Sequence, residues 1–564
     1  MKDLYRCLDE YPEDLLLAIA GAWGVALPRG DAMRMVKRLG DEMLSPGAIA
    51  PALAGLSPPA QEALAYLAAQ GGAAPARPTA LRYGALRRFG PARLRREKPW
   101  LDPTGPLEEL YYRGLVYRAY GQLGDYYGDL FLIPDELAAL LPPMQAPSAV
   151  GQTALGAEPE RALSAGAALL EDLLALIVLL RRQPLPWPAD ATPSTEALVA
   201  WAQGARLLGG ADQGRLQMLW RLLARQELAE HDGRYWRLAL GARQWLRQRD
   251  AEQWLETFTA WRDDAGWDEL LHLPTILCEQ AGWQNQPARA RRRLCAILAA
   301  FAPGVWYDLE SLLQALRDQH PDYLRPDGDL DSWLIRDAQS GEYLRGLDSW
   351  VAVEGALARH LLAGPLHWLG VTDLGMEGET GSVVALRLTS AGKRLLAGLA
   401  PETPAPAASE PPAQIDEQML VRIATRDTRY LRYQLERLAV WQAQDDGEAR
   451  YLLSEDAVWQ GLNTGIQGEQ IQAFLRRIAG DALPPSVERT LGAWAGRFGR
   501  VSLGRAVVLE TLDEATMQEI RQGSELAALL GESLGPTRCL VSDEHLDELV
   551  ARLKQRDIWP RLKR

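Results

Sequence analysis

The chain has 564 residues, of which 47% are apolar and 24% charged, a balance that excludes a wholly disordered protein and favours several domains. Its four cysteines are scattered and form no CxxC pair, which excludes a disulfide scaffold and a zinc-finger framework. The formal charge of −13 excludes a surface that is basic all over, but it leaves room for a local basic face.

The start of the chain and its apolar segments predict a cytoplasmic protein that does not enter a membrane. The first residues carry acids where a signal peptide has a basic start and an apolar run. The longest apolar stretch, residues 173–180, is too short to span a bilayer. Leu, Ala, Arg and Glu dominate the composition, and all four favour helices.

Helices followed by a hairpin recur three times along the chain. The first set is predicted as helices over 56–72, 79–90 and 106–116 and strands over 116–122 and 129–134. The second is predicted as helices over 169–183, 194–206 and 213–226 and a hairpin over 227–240 that turns at Asp232-Gly233. The third is predicted as helices over 289–304, 308–319 and 350–364 and a hairpin around 375–381. This order is that of a winged helix.

Two stretches rich in Pro and Ala, 142–160 and 401–413, are predicted linkers. After the second linker the pattern changes to a strand over 418–425, a helix over 428–442, further helices, a hairpin over 500–510 and a last strand and helix over 539–560. The expected fold is mainly α with small β-hairpins, with several winged-helix units plus a C-terminal α+β domain. The predicted domains are 1–145, 161–250, 251–400 and 414–564, with the linker 401–413 ahead of the last.

No catalytic or metal-binding motif is present in the sequence. It contains no GxxxxGK[ST] phosphate loop, no HExxH and no GxSxG, and its six histidines are isolated from one another. A zinc enzyme needs clustered ligands, which are missing from the pattern. We therefore expect no enzyme activity, no catalytic residue, no metal and no cofactor.

Basic residues are concentrated in residues 77–118, which hold ten lysines and arginines against four acids. The densest part, 87–100, is predicted as a connection broken by Gly and Pro, where side chains can follow phosphates. The candidate DNA-binding residues here are Arg87, Arg88, Arg93, Arg95, Arg96 and Lys98. The alternative is a solvated loop with internal ion pairs.

A second basic group, Arg215, Arg221 and Arg225, is predicted on the third helix of the second set, opposite an apolar face. This pattern is similar to a recognition helix, although an ordinary solvated helix face remains the alternative. The third helices of the other sets carry Glu108, Glu109 and Glu354, which argues against sequence-specific reading of a major groove. Those two units are candidates for protein docking instead.

Residues 450–503 carry a series of short motifs. The motifs are Y-x-L-S-x-D (Tyr451 to Asp456), a helix pair ending at Phe474 and Leu475, P-x-x-V before a tryptophan helix (Pro484, Val487, Trp494), and a Gly-Arg-Val strand (Gly499 to Val501). In these motifs the chain resembles the N-terminal domain of XPB-type DNA helicases, and more closely the bacterial helicase-associated proteins that carry this domain without motor domains. Segments 90–118 and 386–398 also resemble winged-helix segments of that family.

The resemblance implies a DNA-engaging accessory protein that works with a separate helicase or translocase, and it brings no catalytic residues. The leading expectation is a non-catalytic protein that binds DNA through phosphate contacts in repair, transcription or genome defence. The alternative is a protein–protein scaffold whose winged helices dock a helicase or another partner. A transcriptional regulator is a third possibility, but only the second set offers a basic third helix.

Overall fold

The computed structural model describes residues 3–124, 126–144, 155, 158–165, 168–210, 212–279, 283–325, 328–378, 381–402, 411–445, 447–501 and 506–562. Over these residues the protein is mainly helical with small sheets, so the predicted fold class is confirmed. Contacts divide the chain into two compact units. The first is Met1–Glu410 with Ile423–Glu436 and Asp445–Glu448, and the second is the rest of the chain from Pro411 onwards.

The first unit begins with short helices around a three-stranded sheet. The helices are α1 (Leu4–Asp9), α2 (Glu13–Ala22), α3 (Ala32–Met43), α4 (Ile49–Ala54), α5 (Pro58–Ala69), α6 (Ala76–Tyr83), α7 (Pro91–Glu97), α8 (Pro106–Tyr112) and α9 (Asp135–Leu140), and the strands are β1 (Ala73–Pro75), β2 (Tyr117–Leu123) and β3 (Tyr126–Leu132). Ser57 caps α5 through a bond to the Ala60 amide, and Pro58 starts that helix. Leu64 and Leu110 are fully buried where α5 and α8 pack in the core.

The middle of the chain continues the first unit with longer helices. Its elements are β4 (Arg161–Leu163), α10 (Ala168–Arg182), α11 (Thr195–Ala202), α12 (Gln213–Arg225), β5 (Ala229–His231), β6 (Trp236–Leu238), α13 (Ala242–Arg247), α14 (Asp250–Arg262) and β7 (Ile276–Cys278). The apolar run 173–180 lies within α10 and is almost wholly buried. It is a core helix, as its length predicts.

The last part of the first unit combines helices with a four-stranded sheet. Its elements are α15 (Pro287–Leu298), β8 (Trp306–Asp308), α16 (Leu309–Gln319), β9 (Ile335–Asp337), α17 (Ala356–Ala363), α18 (Pro365–Trp368), β10 (Thr372–Glu377), β11 (Ser382–Leu388) and α19 (Ser390–Leu396). A wider π-type turn, Val351–Gly355, leads into α17. The sheet order is β4-β10-β11-β8.

One topology recurs three times in the first unit. A helix leads to a strand, and two further helices follow, with a short extra helix in the first set (α7) and the third (α18). A hairpin then returns so that its second strand pairs with the first strand. The first set is α5-β1-α6-α8-β2-β3, the second α10-Leu185-α11-α12-β5-β6, and the third α15-β8-α16-α17-β10-β11. In the second set Leu185 makes a single bridge to Trp236 in place of a full strand.

A left-handed residue follows the last helix before each hairpin, which is α8, α12 and α18. Gly114, Glu227 and Gly370 have φ of +69°, +55° and +79°. The residue after each donates its N–H to a leucine carbonyl five positions earlier, from Leu115 to Leu110, Leu228 to Leu223 and Val371 to Leu366. The same turn therefore joins the last helix to the hairpin in all three sets, which makes them versions of one structural unit.

The chain after residue 410 is α+β, as predicted. Its elements are β12 (Ala413–Ile415), β13 (Leu420–Ala424), α20 (Arg429–Leu435), β14 (Val440–Asp445), β15 (Glu448–Leu452), α21 (Glu455–Asn463), α22 (Gly468–Ile478), α23 (Pro485–Arg497), β16 (Val507–Glu510), α24 (Glu514–Gln522), α25 (Ser524–Ala527), β17 (Leu530–Gly535), β18 (Arg538–Val541) and α26 (Leu546–Gln555). The sheets have the orders β12-β13-β15-β14 and β16-β18-β17. By its contacts α20 belongs to the first unit.

Several predicted elements are wrong in extent. The helix predicted over 79–90 ends at Tyr83, because Gly84 adopts φ of +87°. The predicted connection 87–100 contains a helix, α7, which Pro91 starts.

Two predictions in the C-terminal part differ from the described elements. The helix predicted over 428–442 ends at Leu435, and residues from Val440 pair as strand β14. In the predicted hairpin 500–510, the described residues Val507–Glu510 form strand β16, which pairs with the distant β18. Residues 502–505, and most of the two predicted linkers 142–160 and 401–413, lie outside the described residues.

Candidate nucleic-acid interface

Arg87, the first candidate of the basic segment, belongs to an internal ion pair. Its backbone N–H and its Nε donate to Glu108 Oε1 at 2.9 and 2.8 Å, and its Nη2 donates to Glu108 Oε2 at 2.8 Å. Burial raises the pKa of Glu108, but the bonds from Arg87 and Thr104 outweigh it, so the pKa lies below its usual value. Arg87 therefore positions the segment, and its guanidinium group, although 39% exposed, is already held by the buried Glu108 carboxylate.

The acidic third helix of the first set turns its charges inward. Glu108 is fully buried, and Glu109 accepts a hydrogen bond of 2.6 Å from the Ser57 hydroxyl at the start of α5. Neither carboxylate repels DNA from the surface of α8. The sequence suggested that Glu108 and Glu109 would repel DNA, and their burial removes that objection. Helix α8 nevertheless carries no cation that could contact bases.

The other five candidates of the basic segment are exposed. They are Arg88, Arg93, Arg95, Arg96 and Lys98. Arg93 and Arg96 share Glu97, at 2.7 and 3.4 Å, while Arg95 pairs with Asp14 at 3.0 Å. Exposed pairs of this kind contribute about 0–1 kcal/mol each, so phosphate oxygens can compete for these guanidinium groups. α7 thus presents a cluster of accessible cations, with Lys98 at its left-handed end.

Arg215 lies in the interior, so its prediction as part of a solvent-facing basic side is wrong. It is 2% exposed, and its Nη2 is 2.6 Å from Asp172 Oδ2 on α10. Burial raises the pKa of Asp172, against the opposing attraction of Arg215. Helical spacing predicted that Arg215 lies on the same face as Arg221 and Arg225. Its side chain instead points into the core, where it pairs with Asp172 on α10.

Arg221 and Arg225 both face Asp264. Arg221 binds this carboxylate with two bonds, Nε to Oδ2 at 2.6 Å and Nη2 to Oδ1 at 2.9 Å, while Arg225 Nε is 4.0 Å from it. Burial raises the pKa of Asp264, but the bonds from Arg221 outweigh this effect and the pKa is lowered. Of the three candidates on α12, Arg225 alone is exposed.

The third set also has a buried acidic side chain ahead of its third helix. Glu354, in the π-type turn ahead of α17, is fully buried with its Oε1 2.6 Å from Arg325 Nε. Further along, Arg359 pairs with Glu310. Glu354 therefore uses its charge in an internal pair, as Glu108 does in the first set.

Sequence reasoning missed an exposed aromatic pair on the first hairpin. Tyr120 on β2 and Tyr127 on β3 lie close together on one face of the hairpin. The signal was present, because outward positions of a strand alternate with inward ones and both tyrosines occupy outward positions. The sequence alone did not show which side of the hairpin faces the core.

Other chemistry is sparse in the part of the chain that the structure describes. No described helix combines the length and apolar character that crossing a membrane requires. Across the same residues, no three His, Cys, Asp or Glu side chains are grouped to hold a metal ion. Burial raises the pKa of the Cys295 thiol to about 12 and lowers the pKa of His320 to about 4, so both are uncharged at neutral pH.

Part of the chain matches a known protein family. Residues 412–535 match the family described as a helicase conserved C-terminal domain. No curated protein matches the chain. The matched range runs from β12 to β17 and contains the motif-bearing residues 450–503. It supports a helicase-associated protein.

Proposed function

We propose that this protein is a non-catalytic, DNA-binding accessory protein that works with a separate helicase or translocase in DNA repair, transcription or genome defence. The observation that carries the proposal is the helicase-domain match at residues 412–535, in a chain whose sequence lacks the phosphate-binding loop of a motor. The finer resemblance of 450–503 to XPB-type N-terminal domains and to bacterial proteins of that kind is part of the same proposal.

The repeated topology of the first unit supports binding of DNA by winged helices. Each set has the order helix, strand, helix, helix and hairpin, with the first strand paired to the last. The accessible cations of α7 lie just ahead of the third helix of the first set. We assign the phosphate-binding surface to Arg88, Arg93, Arg95, Arg96 and Lys98, with Arg225 as a separate contact on the second set.

This surface favours phosphates over bases. On or next to the third helices, the side chains of Glu108, Arg215 and Glu354 are buried and held in ion pairs. A helix that reads a major groove needs outward polar side chains to reach base edges, whereas contacts to the backbone carry no sequence information. The proposed binding is therefore largely independent of sequence.

The test is DNA binding measured by fluorescence anisotropy over a range of salt. Each phosphate contact adds about 0.9 to the slope of log affinity against log salt, so replacing Arg93, Arg95 and Arg96 by Glu should lower the slope by up to about 3. The same variant should bind duplex DNA at least about tenfold more weakly at about 50 mM salt. The parent protein should lose affinity steeply up to about 300 mM salt.

A matched control carries the same change of charge elsewhere. Arg34, Lys37 and Arg38 are three exposed cations on α3 of the same part of the chain. Their joint replacement by Glu should leave the slope near that of the parent. Absence of any DNA binding by the parent at about 50 mM salt, where phosphate contacts are strong, contradicts the proposal.

A protein–protein scaffold is the second candidate, and exposed apolar side chains in the second unit favour it. They are Trp459, Val501, Leu512 and Trp559, with Leu512 98% exposed. A contiguous exposed apolar patch marks a binding site for another protein, so the scaffold function requires these side chains to act together. Salt separates the two functions, because apolar docking does not weaken as salt rises while phosphate binding does.

A further inference from the structure

The hairpin of the first set exposes two aromatic rings that the fold does not use. Tyr120 is 66% exposed and Tyr127 is 69% exposed, and their ring centroids are 5.2 Å apart at an angle of 81°. In the described part of the chain neither hydroxyl makes a hydrogen bond. Most aromatic side chains contribute to folding by burial, so a pair that gains little from it points to a contact outside the chain.

Strand alternation places polar neighbours on the same face as the two rings. Tyr120 pairs across the hairpin with Asp129, and Gln122 pairs with Tyr127. Arg118, two positions before Tyr120, shares this face. The outward face of the hairpin is therefore a small patch of two rings, an amide and charged groups, and it lacks the aliphatic side chains of an apolar docking site.

Two arginines border the rings and connect them to the basic segment. Arg118 Nη2 is 2.5 Å and Arg88 Nη2 is 3.9 Å from the same oxygen, Asp129 Oδ2. One carboxylate thus faces two guanidinium groups, which leaves the border positive. Since Arg88 belongs to the assigned phosphate surface, the aromatic face is continuous with it.

We propose that Tyr120 and Tyr127 form a stacking site for unpaired nucleobases, so that this protein prefers DNA with a single-stranded arm over continuous duplex; the inference rests on the proposed function. A base within a duplex has both faces covered by its neighbours, whereas an unpaired base offers a face to an aromatic ring. The bordering arginines hold the backbone beside the stacked base. Stacking of this kind tolerates any base, in agreement with phosphate binding that does not read sequence.

The test compares blunt duplex with forked DNA that carries 2-aminopurine in one unpaired arm. The parent should bind the fork more tightly than the duplex and quench the 2-aminopurine fluorescence. Loss of a base–aromatic stack is expected to cost about fivefold or more in affinity, so Tyr120→Ala/Tyr127→Ala should remove that preference and the quenching. Its affinity for blunt duplex should change by less than about twofold, because the phosphate contacts remain.

Two control variants separate stacking from other causes. Tyr120→Phe/Tyr127→Phe keeps both rings and should behave as the parent. Trp459→Ala removes an exposed aromatic ring from the second unit and should leave the fork preference unchanged. Equal binding of fork and duplex by the parent, or a fork preference that survives the double alanine variant, overturns the inference and leaves the proposed function standing. Failure of the parent to bind either DNA overturns both.

Discussion

Single arginines in this protein divide into those that hold the fold together and those that face solvent. Arg215 and Arg225 lie on the same helix, but Arg215 is buried against Asp172 while Arg225 is exposed beside Asp264. A charge left unpaired in the interior is far more costly than one left in water. Loss of Arg215 should therefore lower the stability of the fold, whereas loss of Arg225 should weaken DNA binding.

Urea denaturation distinguishes the two arginines. Arg215→Ala should lower the free energy of unfolding by about 3–5 kcal/mol, because it leaves the Asp172 carboxylate buried without its partner. Arg225→Ala should change it by less than about 0.5 kcal/mol, as is usual for an exposed site. Similar losses for the two variants would mean that the pair of Arg215 and Asp172 is not buried in solution.

Lowering the pH should remove the contribution of Glu108 to the stability of the fold. Its pKa is lower in the folded protein than in the unfolded chain, so the ionised carboxylate stabilises the fold above the unfolded value of about 4.3, and this stabilisation is lost as the pH falls through the folded value. The free energies of unfolding of the parent and Glu108→Gln should differ most at neutral pH and converge below about pH 4. Glu417→Gln, at an exposed carboxylate, is the control and should follow the parent throughout.

Whole elements were predictable where the apolar pattern was regular. The helix predicted over 213–226 is α12 to within one residue, because Leu216, Leu219 and Leu223 form a clear stripe. The helix predicted over 428–442 ends early, and strand β14 follows from Val440. Over such a short run, the spacing of apolar residues in a strand is hard to distinguish from that in a helix. Whether such a short segment forms a strand depends more on the neighbouring strand with which it pairs than on its own sequence pattern.

Helix α20 depends on buried charge for its place in the first unit. Glu171 on α10 accepts from Arg429 Nη2 at 2.9 Å and from Arg432 Nη1 at 2.5 Å, and Arg429 also pairs with Asp250. At the other end of α20, Arg182 and Arg206 bind Glu436. The helix is thus fixed by ion pairs at both ends.

Hydrogen exchange followed by mass spectrometry tests this arrangement. Glu171→Gln removes the shared negative charge and leaves two buried guanidinium groups without it, so amides of 429–435 should exchange at least about tenfold faster. Glu256→Gln, at an exposed position on α14, should leave their exchange unchanged. Unchanged exchange in Glu171→Gln would show that apolar packing alone holds α20.

For the molecule as a whole, the sequence predicted the class of fold and the recurrence of one unit better than it predicted the site. The threefold order of helices and hairpins is visible in local patterns, whereas the ion pairs that engage Arg87, Arg215 and Arg221 join residues far apart in sequence. The net charge of −13 likewise says nothing of the cations gathered on α7. Burial and pairing are properties of the folded chain.

The buried pairs also bear on how a chain with three similar units avoids misassembly. In the first and third sets the acid is on or next to the third helix and the arginine precedes it, whereas in the second set Arg215 is on the third helix and its acid is on the first. A third helix exchanged between the second set and a neighbour would bring like charges together in a closed core. At about 3–5 kcal/mol for a buried charge without its partner, that exchange is disfavoured. We therefore expect the reversed sign of one ion pair to disfavour exchange of third helices while the chain folds.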